Sequence, residues 1–421
     1  MTKRSRDSDD DLNDYMIKIL SNDITNEHFY NDRYSIHFLD KDSTNMIRLS
    51  IEIDGNHFDL VSSQWKGTNE IKTLATCDWL FRSLSLVIDN NIKDSNNNWI
   101  ESYDHAIDQF IIHRSCISIM YTPTTATIAA TVYINTMKIT KSSTSFSLIS
   151  TIINQWIEMG KLSSQKCIEH YHCLEDQYEL RNLVKAAEGI AFVANGSILP
   201  RAGGDSDKML QSSTVIPFQS PSTLEKEFTL MHSGKVKGML IPKGVTVITG
   251  GGYNGKSTLL NALKVGVYSK IPGDGREFVI VDKDATCLRS EDGRYINSVN
   301  VSSFISNLPP ASDLDTTNLC TSNASGSTSM AANVIENLEQ GTSVMLLDED
   351  TCASNFMIRD SRMRSLIKNE PIIPYIYRVN GLYKSLDVSS IVVVGGCGDW
   401  FDVQNQTIMM DNYECLDVTN R

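Results

Sequence analysis

The sequence predicts an α/β core over residues 181–421 preceded by an α+β domain over residues 1–180. Three observations carry this. Short apolar runs at 244–248, 277–281, 343–347 and 390–394 recur through the second part, with helical stretches between some of them. That is the pattern of strands buried on both faces. One of these runs leads directly into a glycine-rich loop, and another ends in three carboxylates. The first part differs: Ile47, Leu49, Ile51 and Ile53 alternate with polar residues, whereas Ile71, Leu74, Cys77, Leu80, Phe81, Leu84 and Ile88 fall at helical spacing.

Within the first part, Asp54-Gly55-Asn56 predicts a hairpin turning the chain into Phe58 and Leu60. The polar run from Asp89 to Asn98 predicts an exposed loop. Residues 115–134 predict strands, and Ile149, Ile152, Ile153 and Trp156 a further helix. No repeat of solenoid type occurs. A chain of 421 residues can build two or three domains with proper cores. Its 41% hydrophobic and 21% charged residues exclude collagen-like, fully disordered and small disulfide-scaffold classes. A net charge of −13 argues against coating nucleic acid or an anionic membrane over the whole surface, and leaves room for a local basic groove. Nine cysteines, an odd number with no C-x-x-C pair, predict reduced thiols in a cytoplasmic or nuclear compartment. The start has no apolar stretch that would make a signal peptide, and Lys3-Arg4-Ser5-Arg6 reads as a solvated tail or a nuclear address. No run approaches the roughly 18 apolar residues of a membrane span, so no membrane association is expected.

Gly250-Gly251-Gly252-Tyr253-Asn254-Gly255-Lys256-Ser257 fits G-x-x-x-x-G-K-S/T, with Thr258 and two leucines opening a helix. Glycines let the backbone wrap phosphate oxygens, and the amides at the helix start supply positive potential. The motif therefore predicts an ATP site over Gly250 to Thr258. Lys256 is expected on the β- and γ-phosphates and the Ser257 hydroxyl on Mg²⁺. Downstream, the apolar run at 344–347 delivers Asp348-Glu349-Asp350. Asp348 is expected to hold Mg²⁺ with Ser257, and Glu349 to orient and deprotonate the attacking water.

A third element narrows the class. Ser325-Gly326-Ser327-Thr328 precedes a helix-like run from Met330 to Gln340, and Ser325 lies 23 residues before Asp348. This placement resembles the signature of ABC ATPases, which closes over the γ-phosphate held by an opposing subunit. Two transporter features are missing: no histidine follows His232, and no glutamine lies between Ser257 and Glu339. Asp350 also stands where transporters carry proline.

With the motifs around Phe192 to Arg201, Ile241 to Thr246, Ile271 to Phe278, Ser290 to Arg294, Asn355 to Asp360 and Gly395 to Asp399, the chain resembles the ABC-class ATPase family over about residues 181–419. The resemblance implies a P-loop NTPase core of ABC type, ATP and Mg²⁺ as cofactors, ATP-driven homodimerisation, and a protein or nucleic-acid partner. It also implies a C-terminal segment past Thr419, whereas the chain stops at Arg421. Glu291, Asp292 and Arg294 are candidates to replace the missing glutamine as metal and phosphate sensors, or else form a structural turn. Asp399 is the candidate to replace the switch histidine, or else a loop aspartate. Arg359 and Asp360 lie where the family carries a dimer-facing loop, with surface ion pairing as the other reading. Phe228 could stack on adenine or belong to the core, and Cys167, His170, His172 and Cys173 are spaced unlike common zinc frameworks. Two other functions stay open on the same residues, a non-hydrolysing ATP-dependent scaffold and a P-loop kinase.

Overall fold

The computed structural model describes residues 9–21, 28–41, 45–60, 69–92, 100–102, 109–121, 125–135, 143–306, 308, 314–367 and 369–420. The chain divides into two compact units, 1–175 with 270–272, and 176–269 with 273–421.

The first unit is built on an antiparallel sheet. His28–Tyr30, Tyr34–Lys41, Met46–Asp54 and Ala126–Asn135 pair in that order, and Ile100–Ser102 and Ile117–Tyr121 share the far edge of the last. Ala126, Ile128, Ala130, Val132 and Ile134 are all buried while the residues between them are not, the period of a sheet with one covered face. The helices Asp9–Ser21, Glu70–Ile92 and Ser143–Met159 supply Met16, Leu80, Phe81, Ile153 and Trp156 to the same core. Two sequence expectations change here. Asp54-Gly55-Asn56 does not open a hairpin: the Asp54 carboxylate accepts from the Asn56 amide and starts a 3₁₀ turn over Gly55–Phe58, whose Phe58 is buried. Asp89 to Asn91 are not loop but the last turn of the helix Glu70–Ile92, where Asn91 donates to the Val87 carbonyl. The rest of that polar run, from residue 93, and the basic residues 3–6 lie outside the described residues.

The second unit contains a six-stranded sheet in the spatial order Ala285–Leu288, Val344–Asp348, Ser389–Val393, Val245–Thr249, Gln406–Asp411, Glu414–Asp417. The first five strands are parallel and the last is antiparallel. One face packs Ile248, Leu346, Ile391 and Val393 against Leu259, Leu260 and Leu263 of the helix Lys256–Lys264 and against residues of a second, antiparallel sheet. The other face packs Val247, Met345, Leu347 and Val392 against Met330, Ala331 and Val334 of the helix Gly326–Glu339. Both faces are covered, which is why these strands read as unbroken apolar runs. The run at 277–281 is a buried strand as expected, Val279–Val281, but it pairs with Gly189–Ala194 in the antiparallel sheet and not with the other three runs. All three residues of that strand are buried, so its sequence carries no alternation to distinguish the two sheets.

Candidate functional site

Parallel pairing brings the chemistry-bearing segments to one edge. Asp348 and Ile248 are both level with Val393 of the strand between them, so the acidic residues and the glycine loop leave the sheet two strands apart. At about 4.8 Å per strand, that is roughly 10 Å. Ligands of open α/β sheets bind at such carboxyl ends.

The loop from 250 to 255 is shaped by its backbone. Gly250 sits at φ 134°, and a Cβ there would lie 2.1 Å from the Met410 carbonyl oxygen, so only glycine fits against the neighbouring strand. Tyr253 is held at φ 61° with its side chain 99% exposed, a conformation that costs an L-residue about 1–2 kcal/mol. Asn254 accepts from the Asn412 amide at 3.0 Å, tying the loop to the turn between Gln406–Asp411 and Glu414–Asp417. Gly255 starts the helix Lys256–Lys264 in the left-handed conformation with no side-chain cap, leaving the first-turn amides to an anion. Lys256 Nζ donates to the carbonyls of Gly250 and Gly251, each at 2.7 Å. These are bonds that a phosphate oxygen can take over. Ser257 and Thr258 occupy the first turn, with Ser257 exposed.

Asp348 is buried at the end of its strand and accepts from the Asp350 amide at 3.3 Å. A carboxylate oxygen and the Ser257 hydroxyl are the hard oxygen donors that Mg²⁺ selects, so the residues present fit that ion. Glu349 begins a 3₁₀ turn, and its Oε2 accepts from the backbone amides of Gly395 at 2.5 Å and Gly396 at 3.3 Å. Burial pushes the Cys352 thiol up to about 12 and raises Cys397 as well, so neither flanking cysteine presents a thiolate.

The serine-glycine turn is a built helix start. Ser325 Oγ accepts from the Thr328 amide, and its hydroxyl lies 3.0 Å from that of Thr328. Gly326 faces the turn at 290–292, since a Cβ would meet Ser290 Oγ at 2.2 Å and Asp292 Oδ1 at 3.0 Å. Ser327 is buried and donates to Asn355 at 2.5 Å, so the hydroxyls this turn offers outward are those of Ser325 and Thr328. No hydrogen bond joins residues 325–329 to residues 250–258.

Glu291 and Arg294 hydrogen-bond to the helix that this turn starts. The Glu291 amide donates to Ser329 Oγ at 2.9 Å, and Arg294 donates to Asn333 at 2.6 Å and Glu336 at 2.5 Å. Asp399 is exposed in the 3₁₀ turn Gly398–Asp402, while the groups touching Glu349 are the amides three and four residues before it. Phe228 is in the core, edge-on to Phe192 at 5.4 Å, and is no adenine platform. Arg359 pairs with Glu370 at 2.8 Å, and Asp360 caps the helix Ser361–Leu366. Cys167 is buried in the first unit's core, and His170 lies 3.1 Å from the buried Asp78. Among the described residues no three His, Cys, Asp or Glu side chains form a metal cluster, and no helix is long and apolar enough to cross a membrane.

The P-loop domain of the ABC_ATPase family matches residues 163–421. An uncharacterized protein of Methanocaldococcus jannaschii is 35% identical over 145 residues. That alignment covers 34% of this chain and spans 32% of the relative's length. Among solved structures, an inward-facing metal-chelate type ABC transporter aligns over 54% of this chain and 82% of its own, at 12% identity and a TM-score of 0.33. CbiO1 of Clostridium perfringens, part of the ABC transporter complex cbiONQ, aligns over 54% and 87%, at 14% identity and a TM-score of 0.32. The family match takes in more than half of the chain: it belongs to the ABC_ATPase family and has an ATP-binding P-loop core.

Proposed function

We propose that this member of the ABC_ATPase family hydrolyses ATP to ADP and phosphate with Mg²⁺, at composite sites formed when two copies meet head to tail on ATP. The observation that carries the reading is the convergence, on one sheet edge, of an uncapped helix start behind a glycine loop with a buried aspartate and an adjacent glutamate.

Lys256 and the amides from Gly251 to Thr258 would bind the phosphates, with Asp348 and Ser257 holding the ion. Bound Mg²⁺ supplies charge compensation to the β- and γ-phosphates. The attacking water's oxygen forms a bond to the γ-phosphorus, the bond to the bridging oxygen breaks with its electrons staying on ADP, and the water's proton passes to Glu349. The Ser325 and Thr328 hydroxyls, outward-facing and remote from their own phosphate loop in hydrogen bonding, would close over the γ-phosphate of the opposing copy. The energy would be coupled to a protein or nucleic-acid partner.

The test is Mg-ATP turnover of wild type against Glu349→Gln. Turnover should fall by about 10²–10⁴ with ATP binding kept, and light scattering of the variant with Mg-ATP should show a dimer. Equal near-zero rates would replace the hydrolase with a scaffold, and a persistent monomer would remove the composite site.

A further inference from the structure

Glu349 is fixed by groups that no side-chain motif records. The strand Ser389–Val393 ends its ladder when the Val394 amide donates to the Ile248 carbonyl at 2.9 Å. The next two amides, of Gly395 and Gly396, have left the ladder and turn the other way, to Glu349 Oε2 at 2.5 and 3.3 Å. Both glycines are exposed, so water could satisfy these amides; they are instead aimed together at one carboxylate oxygen, the stronger, charge-assisted kind of acceptor. An ionised carboxylate has about four lone-pair directions. Two are used on one oxygen, and no hydrogen bond from the described residues reaches Oε1.

We propose that the Gly395 and Gly396 amides are the positioning group of the hydrolytic site, anchoring Glu349 through Oε2 so that Oε1 faces the water it orients. The proposal rests on the hydrolase reading above. It assigns to backbone the task for which sequence pointed to Asp399. A Cβ on Gly395 would stand 3.8 Å from Oε2 and one on Gly396 4.0 Å from Oε1, ordinary contact distances, so it is the amides and not the missing side chains that the site uses.

Hydrogen–deuterium exchange of the full chain tests the anchor directly. In nucleotide-free protein, Glu349→Ala should speed exchange of the Gly395 and Gly396 amides at least about tenfold while leaving the central amides of Val245–Thr249 unchanged. Kinetics then test the role. Gly395→Pro and Gly396→Pro, which each delete one donor, should lower kcat about tenfold or more with KM unchanged. Neither should lower it further in a Glu349→Ala background. Unaltered exchange in Glu349→Ala overturns the proposal, as does a proline loss of equal size in both backgrounds. If proline unfolds the loop, the exchange result alone decides. A wild type that turns over no Mg-ATP yet shows the exchange contrast removes the hydrolase reading and leaves the anchor standing. Turnover without the contrast does the reverse.

Discussion

Asp78 and Glu349 both accept strong hydrogen bonds, and they are held in opposite ways. In the first unit, Asp78 is fully buried and is met by three side chains, Arg82 Nε at 2.7 Å, Arg114 Nε at 3.0 Å and His170 Nε2 at 3.1 Å, the last two buried as well. In the second, Glu349 is half-buried, its hydrogen-bond partners among the described residues are two backbone amides, and one oxygen is left over. Lys256 is similar, resting on two carbonyls of its own loop. A charge saturated by side chains is committed to the fold. A charge resting on backbone groups at a sheet edge keeps capacity for a ligand, Lys256 by giving up its carbonyls and Glu349 through its second oxygen. The difference separates a structural ion cluster from a working one more sharply than burial alone.

The contrast breaks first at Lys256. Lys256→Ala should abolish measurable Mg-ATP turnover, a loss within the 10³–10⁵ range of phosphate-clamping groups, while the thermal unfolding midpoint stays where it was. Loss of stability without loss of turnover would erase the distinction. Asp78→Ala is the mirror image. Removing one member of a buried ion cluster should cost about 3–5 kcal/mol, read as earlier unfolding of the first unit, with turnover per folded molecule unchanged.

The acid side of the stability profile gives a smaller effect. Burial alone would raise the Asp78 pKa, but the His170 and Arg82 hydrogen bonds and charges outweigh it, and the carboxyl lies below its ordinary 3.8. A depressed folded value makes the contribution complete above about pH 4 and lost as pH falls through the lowered pKa. An Asp78→Asn variant should therefore lack that part of the acid transition, visible as a flatter stability curve below pH 4. Smallest of all, Lys161→Ala removes an exposed ion pair to Glu158 and should leave both turnover and the unfolding midpoint within error.

How legible these features are from sequence follows the same division. The phosphate loop, the acidic strand and the serine-glycine helix start are contiguous stretches whose residue types state their chemistry, and they stand on the strand ends and helix starts that sequence predicts. The anchor of Glu349 is not legible, because amides belong to every residue and only the strand register brings these two to it. The Asp78 cluster left one trace, an i,i+4 Asp78–Arg82 pair inside an apolar helical stripe, but Arg114 and His170 reach it from 36 and 92 residues away. Val279–Val281 joins the other sheet because three buried residues carry no directional signal. The turn at Gly55 departs from a hairpin because the Asp54 side chain competes for the Asn56 amide.

One junction has practical weight. The tie from Asn254 to the Asn412 amide welds the cradle to the chain's last ladder. Glu414–Asp417 ends five residues after Asn412, so its far end is at most about 17 Å from that weld at roughly 3.4 Å per residue. A fluorophore or fusion attached just past this strand would sit within range of nucleotide arrival and departure, a reporter position that leaves Lys256, Ser257 and Thr258 untouched.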